Sequence, residues 1–392
     1  MTKIILKRGK EEAIKRFHPW IFSGAIKDIH GNIQEGSLVE VYTADGKFAA
    51  IGHYQIGSIA VRIVSFAQQS IDDDFWYSKL QQAYKLRQTL GLANNHNTTT
   101  YRLVHGEGDG FPGLIIDIYG QTAVIQAHSA GMYHLRQCIC NCLKKLYNNN
   151  LLAVYDKSAA TVPFKANLNA NDTYLFGTSA DNKVLEYGNT FSINWEEGQK
   201  TGFFIDQREN RKLLEQYSKD ASVLNMFCYT GGFSVYALRG GAKLVHSVDS
   251  SEKAVELTQE NVRLNFGANA PHEAFATDAF EFMHNAGKQY NVIILDPPAF
   301  AKHTKALHNA LQAYKRINTQ ALTRIQPGGI LFTFSCSQVV SREHFRQAVF
   351  SAAAISGRNV RILHQITQPA DHPISIYHPE GEYLKGLVLY VE

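Results

Sequence analysis

The chain has 392 residues, 45% of them hydrophobic and 19% charged, with a mean hydropathy of −0.22, the composition of a folded, soluble protein. No apolar run reaches the roughly 18 residues of a membrane span, and Met1-Thr2-Lys3-Ile4-Ile5-Leu6-Lys7-Arg8 is too short an apolar stretch for a signal peptide, so a cytoplasmic protein without membrane association is expected. Net charge is +4 with a pI near 8.6, which is compatible with nucleic acid without requiring it. The length predicts two or three domains.

The five cysteines, Cys138, Cys140, Cys142, Cys228 and Cys336, are odd in number, which predicts reduced thiols rather than a disulfide framework. Their spacing matches no zinc pattern, so no metal is expected. A helix over His134 to Tyr147 would scatter the first three over different faces.

In chain order, residues 1–71 hold short alternating runs such as Leu38-Val39-Glu40-Val41-Tyr42 and Ile59-Ala60-Val61-Arg62-Ile63-Val64. Turns at Gly31, Gly36, Gly46, Gly52 and Gly57 separate them, predicting a small β-rich module. Lys7, Arg8, Lys10, Lys15, Arg16 and His18 precede Pro19-Trp20-Ile21-Phe22. Basic residues beside aromatic ones suit an RNA-binding surface, with Lys7 and Arg8 as candidate contacts; a solvated basic helix beside a core Trp20 is the other reading. Asp72-Asp73-Asp74 is suited to cap a helix over Phe75 to Leu90 and opens a second domain, residues 72–186. Strands follow at Tyr101–Val104, Leu114–Tyr119, Thr122–Gln126 and Ala153–Lys157, an α+β pattern. Gly106-Glu107-Gly108-Asp109-Gly110-Phe111-Pro112-Gly113 lacks the lysine of a phosphate loop and leads into a strand, so it reads as a turn. Residues 167–182 read as an exposed linker, and a final domain, residues 187–392, begins near Tyr187.

From Ala221 onward strands and helices alternate: a strand over Val223–Met226, a helix over Phe233–Leu238, a strand over Leu244–Val248 and a helix over Glu252–Phe266. This predicts a parallel doubly wound α/β sheet, in which ligands bind beyond the carboxyl ends of the strands. There stand Phe227-Cys228-Tyr229-Thr230-Gly231-Gly232, whose glycines let backbone approach a ligand. Asp249 follows the second strand with two oxygens for the hydroxyls of an adenosine ribose, and Asp278 with Phe280 can meet an adenine. Behind Val292-Ile293-Ile294-Leu295 comes Asp296-Pro297-Pro298-Ala299-Phe300, where two prolines remove two backbone donors and stiffen a turn that fixes a carboxylate and an aromatic. The fifth strand, Gly329–Phe334, ends in Ser335-Cys336-Ser337. A thiolate is the natural nucleophile for C6 of a pyrimidine, and its addition makes C5 able to attack a methyl sulfonium. Cys336 is the candidate; Cys228 reads as packing in the glycine loop.

With Phe17-His18-Pro19-Trp20-Ile21-Phe22-Ser23-Gly24, Arg102 to Gly110, Thr201-Gly202-Phe203-Phe204-Ile205-Asp206-Gln207-Arg208 and Glu380-Gly381-Glu382-Tyr383-Leu384-Lys385-Gly386, these motifs resemble the ribosomal RNA large subunit methyltransferase I family over nearly the whole length. The resemblance implies a PUA-like N-terminal domain, a central α+β domain and a C-terminal Rossmann-like class I methyltransferase. It implies S-adenosyl-L-methionine as cofactor and C5 of a cytosine in 23S ribosomal RNA, or in a large-subunit precursor, as target; a homodimer stays open. Catalysis would fall to Cys336 and Asp296, and cofactor binding to Phe227, Tyr229, Thr230, Gly231, Asp249, Asp278 and Asp296. Substrate contacts would come from Lys7, Arg8, Phe204, Gln207, Arg208 and Phe300, with Asp206 either beside them or capping a helix. One departure stands out. Two-cysteine RNA cytosine methyltransferases carry a second cysteine after the proline of the fourth-strand motif, where this chain has Pro298-Ala299, and several relatives have lysine at the place of Ala299. Two other readings remain: an exocyclic-amine RNA methyltransferase using the same Asp-Pro-Pro turn, and a non-catalytic RNA-binding assembly factor.

Overall fold

A computed structural model describes residues 2–148, 150–163, 166, 168–178 and 181–392. The chain forms two compact units, one of Met1–Tyr187, Ile193–Ile205 and Ala370–Gly381, the other of Gly188–Ser192, Asp206–Pro369 and Glu382–Glu392. The expected final segment from residue 187 to 392 is thus interrupted twice, because two of its stretches pack with the first unit.

The first unit contains two sheets. Strands β1 (Thr2–Leu6), β2 (Trp20–Phe22), β3 (Ile26–His30), β4 (Leu38–Tyr42), β5 (Phe48–Tyr54) and β6 (Ile59–Ser65) form a six-stranded sheet in the order β2-β6-β5-β4-β1-β3. Side chains two residues apart share a face, so Ile4 with Leu6 and Val39 with Val41 enter one core with Ala50 and Val61. A short helix, α1 (Glu12–Lys15), follows β1, and α2 (Asp73–Thr89) follows the sheet. The Asp72 carboxylate accepts from the Phe75 N–H at 3.0 Å, the expected cap. Trp76, Leu80, Ala83 and Arg87 form the buried stripe of α2 at helical spacing.

The second sheet has the order β11-β10-β9-β8-β7, with β7 (Thr100–His105), β8 (Leu114–Tyr119), β9 (Thr122–Ala127), β10 (Ala153–Asp156) and β11 (Thr173–Phe176). The helix expected over 134–147 is two, α3 (Ala130–His134) and α4 (Arg136–Tyr147), meeting at Leu135. The cysteines are not scattered as expected. Cys138 and Cys142 lie one turn apart and their thiols donate to the carboxylate and the carbonyl of Asp73, at 3.1 and 3.7 Å, while Cys140 is buried in the core. Strand β11 falls inside the stretch expected as a linker; Asn167, Ser179 and Ala180 of that stretch lie outside the described residues.

The glycine-rich turn is structural. Asp109, at its centre, accepts from Nη2 of the fully buried Arg87 at 2.7 Å, and Arg87 also donates to the carbonyls of Arg102 and Asp371, each at 2.7 Å. Strand β12 (Lys183–Glu186) closes the long first stretch of this unit. Removing one partner of a buried pair leaves the other charge without compensation. Asp109→Ala is therefore expected to lower the stability of this unit by about 3–5 kcal/mol, measured by urea unfolding; a loss below about 1 kcal/mol, the size of a surface pair, would contradict it.

The second unit begins with β13 (Asn189–Ser192) and α5 (Arg208–Glu215), then builds a seven-stranded sheet. Its strands are β14 (Ser222–Met226), β15 (Leu244–Asp249), β16 (His272–Ala276), β17 (Val292–Leu295), β18 (Gly329–Ser335), β19 (Val360–Ile366) and β20 (Lys385–Val391). They stand in the order β16-β15-β14-β17-β18-β20-β19. The first five are parallel, as expected, but β20 inserts antiparallel between β18 and β19. Helices α6 (Gly232–Arg239), α7 (Glu252–Phe266), α8 (Ala279–Asn285), α9 (Leu307–Arg324) and α10 (Arg342–Ser356) follow successive strands. All four residues of β17 are buried, which explains its unbroken apolar run. Leu224, Met226, Ile293, Leu295, Leu331 and Leu389 pack with Tyr314 and Ile317 of α9 and Phe345 of α10 in one core.

Candidate active site

The strand order reverses at β14, which has β15 on one side and β17 on the other. Chain leaving the carboxyl ends of β14 and β17 therefore opens a crevice there, the usual ligand position of such a sheet. Its floor is fixed by a buried polar chain: Asn225 Nδ2 donates to Ser234 Oγ at 2.8 Å, Ser234 bonds Ser247 at 2.6 Å, and Ser247 bonds His272 at 2.7 Å.

Above β14 the loop takes left-handed backbone three times, at Phe227 (φ +59°), Tyr229 (φ +47°) and Gly231 (φ +74°). Such conformations cost energy at non-glycine residues and persist where surrounding contacts over-determine them. Those contacts are present: Thr258 Oγ1 donates to the Tyr229 carbonyl at 2.8 Å, and Asn261 Nδ2 to that of the buried Thr230 at 2.9 Å. Position 231 admits only glycine, since a Cβ there would lie 2.6 Å from Thr258 Cγ2. Asp249, ending β15, accepts from the Tyr229 N–H through one oxygen and the Ser251 N–H through the other, each at 3.0 Å. Each oxygen keeps a second lone pair for a ribose hydroxyl. Asp278 is exposed and uses one oxygen to cap α8 through the Glu281 N–H at 2.9 Å, which leaves its other oxygen for an adenine amino group. Phe280 and Phe300 place their rings 6.5 Å apart beyond β16 and β17. The donor set, the close-approach glycine and the two carboxylates fit an adenosine-bearing cofactor.

Asp296 follows β17. Burial, and next the carboxylate of Asp206, raise its carboxyl to about 7, against a hydrogen bond from Gln207 and the charge of Arg211. Asp206 in turn accepts from the Tyr383 hydroxyl at 2.7 Å rather than capping α5, whose first turn has no side-chain cap. Cys336 follows β18, is partly exposed, and its thiol lies 3.9 Å from the carbonyl oxygen of Pro297. The flanking serines are pinned: Ser335 Oγ donates to the Tyr314 hydroxyl at 2.9 Å, that hydroxyl bonds Ser337 Oγ at 3.1 Å, and Lys385 Nζ donates to the Ser337 carbonyl at 2.8 Å. Phe300 packs on the Tyr314 ring with centroids 4.7 Å apart. Cys228 is different. It is buried beside the Thr258 hydroxyl, and burial pushes its thiol up to about 12, where it stays protonated and inert.

The second unit thus gathers Phe227, Tyr229, Thr230, Gly231, Asp249, Asp278, Asp296, Phe300 and Cys336 at the carboxyl ends of its parallel strands. Gln207 and Arg208, expected as substrate contacts, are both buried, and Gln207 donates a hydrogen bond to the Asp296 carboxyl. Phe204 is partly buried and belongs to the first unit. Lys7 and Arg8 are exposed there just after β1, and Lys7 Nζ donates to the Gly24 carbonyl at 2.9 Å. Trp20 is half-buried, its Nε1–H donating to Glu107 at 2.7 Å. Arg211, beside Asp296, and Tyr314 and Lys385, bonded to the serines that flank Cys336, are candidate site residues that motif spacing did not single out. Only Lys385 lay in a stretch already noted, between Glu380 and Gly386.

Comparison with known proteins agrees with this fold. A family model described as PUA-like domain matches residues 4–66, and one described as S-adenosylmethionine-dependent methyltransferase matches residues 102–373. Fold, site and family model together define an S-adenosylmethionine-dependent methyltransferase with a PUA-like N-terminal domain. Proteins named ribosomal RNA large subunit methyltransferase I from Aeromonas hydrophila and Tolumonas auensis are 40% and 39% identical to the chain, each over 99% of both sequences. The chain belongs to that family. Among solved structures, a SAM-dependent methyltransferase from Streptococcus mutans is 23% identical with a TM-score of 0.84, and a methyltransferase complexed with SAH is 24% identical with a TM-score of 0.86. Each covers 100% of both chains and shows the same fold. No helix among the described residues is long and apolar enough to cross a membrane.

Removing the Asp249 carboxylate tests whether it holds the ribose hydroxyls of the cofactor. Asp249→Ala is expected to raise the dissociation constant for S-adenosylmethionine by about tenfold or more, the worth of one hydrogen bond to a charged group, as measured by calorimetry. Unchanged affinity would remove Asp249 from the cofactor site.

Proposed function

We propose that this chain transfers the methyl group of S-adenosylmethionine to C5 of a cytosine in 23S ribosomal RNA, through a transient bond between Cys336 and C6 of the base. The observation that carries this reading is Cys336 itself, a partly exposed thiol at the end of a parallel strand, 3.9 Å from the carbonyl of the Asp296-Pro297-Pro298 turn. The cofactor supplies an electrophilic methyl on a sulfonium. The Cys336 thiolate adds to C6 while the Asp296 carboxyl group gives a proton to N3, so electron density collects at C5. As C5 takes the methyl group, N3 returns its proton to the Asp296 carboxylate, and loss of the C5 proton to water then expels the thiolate and returns the ring to aromaticity. A carboxyl raised to about 7 is half protonated near neutral pH, which suits Asp296 to this acid step.

Ribosomal RNA as the acceptor is supported by the name shared by the relatives and by the PUA-like module with Lys7 and Arg8 exposed on it. In this reading residues 1–71 bind RNA, residues 72–186 form a central domain, residues 187–392 carry the chemistry, and the protein works in the cytoplasm.

Cys336→Ala is expected to bind cofactor normally and to lose methyl transfer by at least about a thousandfold, as removal of an essential nucleophile does. Nucleoside mass spectrometry of the RNA should show 5-methylcytidine. A methylated adenine or guanine with cytosine untouched would overturn the reading in favour of an exocyclic-amine acceptor. RNA carrying 5-fluorocytidine at the target should give a stable enzyme–RNA adduct with the native protein alone, because fluorine at C5 leaves no proton to remove.

The pH profile tests Asp296. Its acid form declines about tenfold per unit above pH 7, so the rate should fall along an alkaline limb near that value. Asp206→Asn removes the carboxylate that helps hold the proton and should move this limb to lower pH. A limb that stays in place would separate Asp206 from Asp296.

A further inference from the structure

Lys385 has a position that cofactor binding does not explain. It begins β20 and stands opposite Ser335 in the antiparallel β18–β20 ladder, one residue before Cys336. The residue is only 4% exposed, and its Nζ donates to the carbonyl of Ser337, one residue after Cys336. The ammonium therefore grips the turn that carries the thiol from the neighbouring strand. Among the described residues it forms no ion pair with a carboxylate: Glu382, the acid in its field, pairs with Arg342. A buried cation without an anion is costly, and such a group is retained where its charge has a partner in the working state.

We propose that Lys385 is the positioning residue of Cys336, its ammonium stabilising the thiolate and its hydrogen bond to Ser337 orienting the turn that presents the sulfur. This rests on Cys336 being the nucleophile. The thiol proton passes to water, Lys385 stays protonated, and no further reactant is needed. Burial lowers the Lys385 ammonium to about 8 while Cys336 and then Glu382 oppose that shift, so it remains largely cationic at neutral pH. The attraction is reciprocal, and whatever the thiolate does to hold the lysine proton, the ammonium does to favour the thiolate. The other groups facing the pair are Arg342, which opposes the lysine charge, and the Tyr314 hydroxyl, which burial raises and keeps neutral.

The test is the rate of Cys336 alkylation by iodoacetamide against pH, followed by peptide mass spectrometry on the full chain. The variants are Lys385→Gln, which keeps a donor for the Ser337 carbonyl but removes the charge, Lys385→Met, which removes both, and Lys385→Arg, which keeps the charge. S-adenosylmethionine binding by calorimetry certifies that each is folded. Lys385→Gln and Lys385→Met should be alkylated about tenfold more slowly at pH 7, with the midpoint moved upward, and Lys385→Arg should recover most of the native rate. An unchanged midpoint in Lys385→Gln that binds cofactor overturns the proposal. So does a native midpoint in Lys385→Met, should only that variant fold. Alkylation needs no RNA, so the proposal and the cytosine-C5 reading fail separately: a Cys336→Ala protein with full methyl transfer sinks the latter, whatever the lysine variants show.

Discussion

The parallel pairing of β14 with β17, in the register Asn225↔Ile294 and Met226↔Leu295, is the constraint on which the active site depends. It sets the carboxyl ends of two strands that are distant in sequence side by side. The glycine-bearing loop beginning at Phe227 and the carboxylate turn beginning at Asp296 are direct continuations of those ends, so the ladder fixes where each begins. Because β15 lies on the other side of β14, the connections diverge and the crevice stays open to a ligand. The left-handed residues of the loop are tolerable for the same reason: α7, anchored behind β15, supplies the Thr258 and Asn261 bonds that hold the loop carbonyls.

Burial moves two titratable groups of this unit toward neutral pH from opposite directions. Asp296 rises to about 7 as water is excluded and the Asp206 carboxylate is held nearby, whereas Lys385 falls to about 8 because its ammonium is desolvated. One becomes an acid able to give up a proton under ordinary conditions, and the other a cation still charged there and buried against the Ser337 carbonyl. Both sit against proline or serine turns whose backbone is fixed by neighbouring side chains. Each group is therefore held at a defined spot.

The parallel strands and the α7 helix were legible from periodicity, because a fully buried parallel strand must be apolar along its whole length and a capped helix must repeat at helical spacing. Val292–Leu295 and Glu252–Phe266 have the ends expected of them. The break at Leu135 was not legible, since α3 and α4 meet at a residue whose backbone stays in the right-handed helical region (φ −84°, ψ −4°) and no capping or helix-breaking residue marks the junction. Nor was the return of Ile193–Ile205 and Ala370–Gly381 to the first unit, because such exchanges are settled by packing between distant segments, which leaves no local pattern. Gln207 and Arg208 were expected near the substrate only through the family resemblance. Their burial is decided by the Asp296 carboxyl, the Asn210 amide bonded to Gln207 at 2.6 Å and the α5–α6 packing, none of them visible in a short motif.

By itself the amino-acid sequence determined the chemistry on offer: a glycine-bearing loop after one strand, single carboxylates after the next ones, a rigid Asp-Pro-Pro turn, and a thiol between two serines. These follow from residue type and local order, which chain connectivity alone preserves. Tertiary structure decided which of these groups share a crevice, which thiol is inert, and which remote residues adjust the rest. Cys228 and Cys336 are chemically identical side chains, separated in behaviour by burial in one case and partial exposure in the other. Lys385 reaches the thiol turn only because β20 runs antiparallel beside β18. That register depends on hydrogen bonds between strands 50 residues apart in their facing positions, Ser335 and Lys385, a relation that local propensity does not encode.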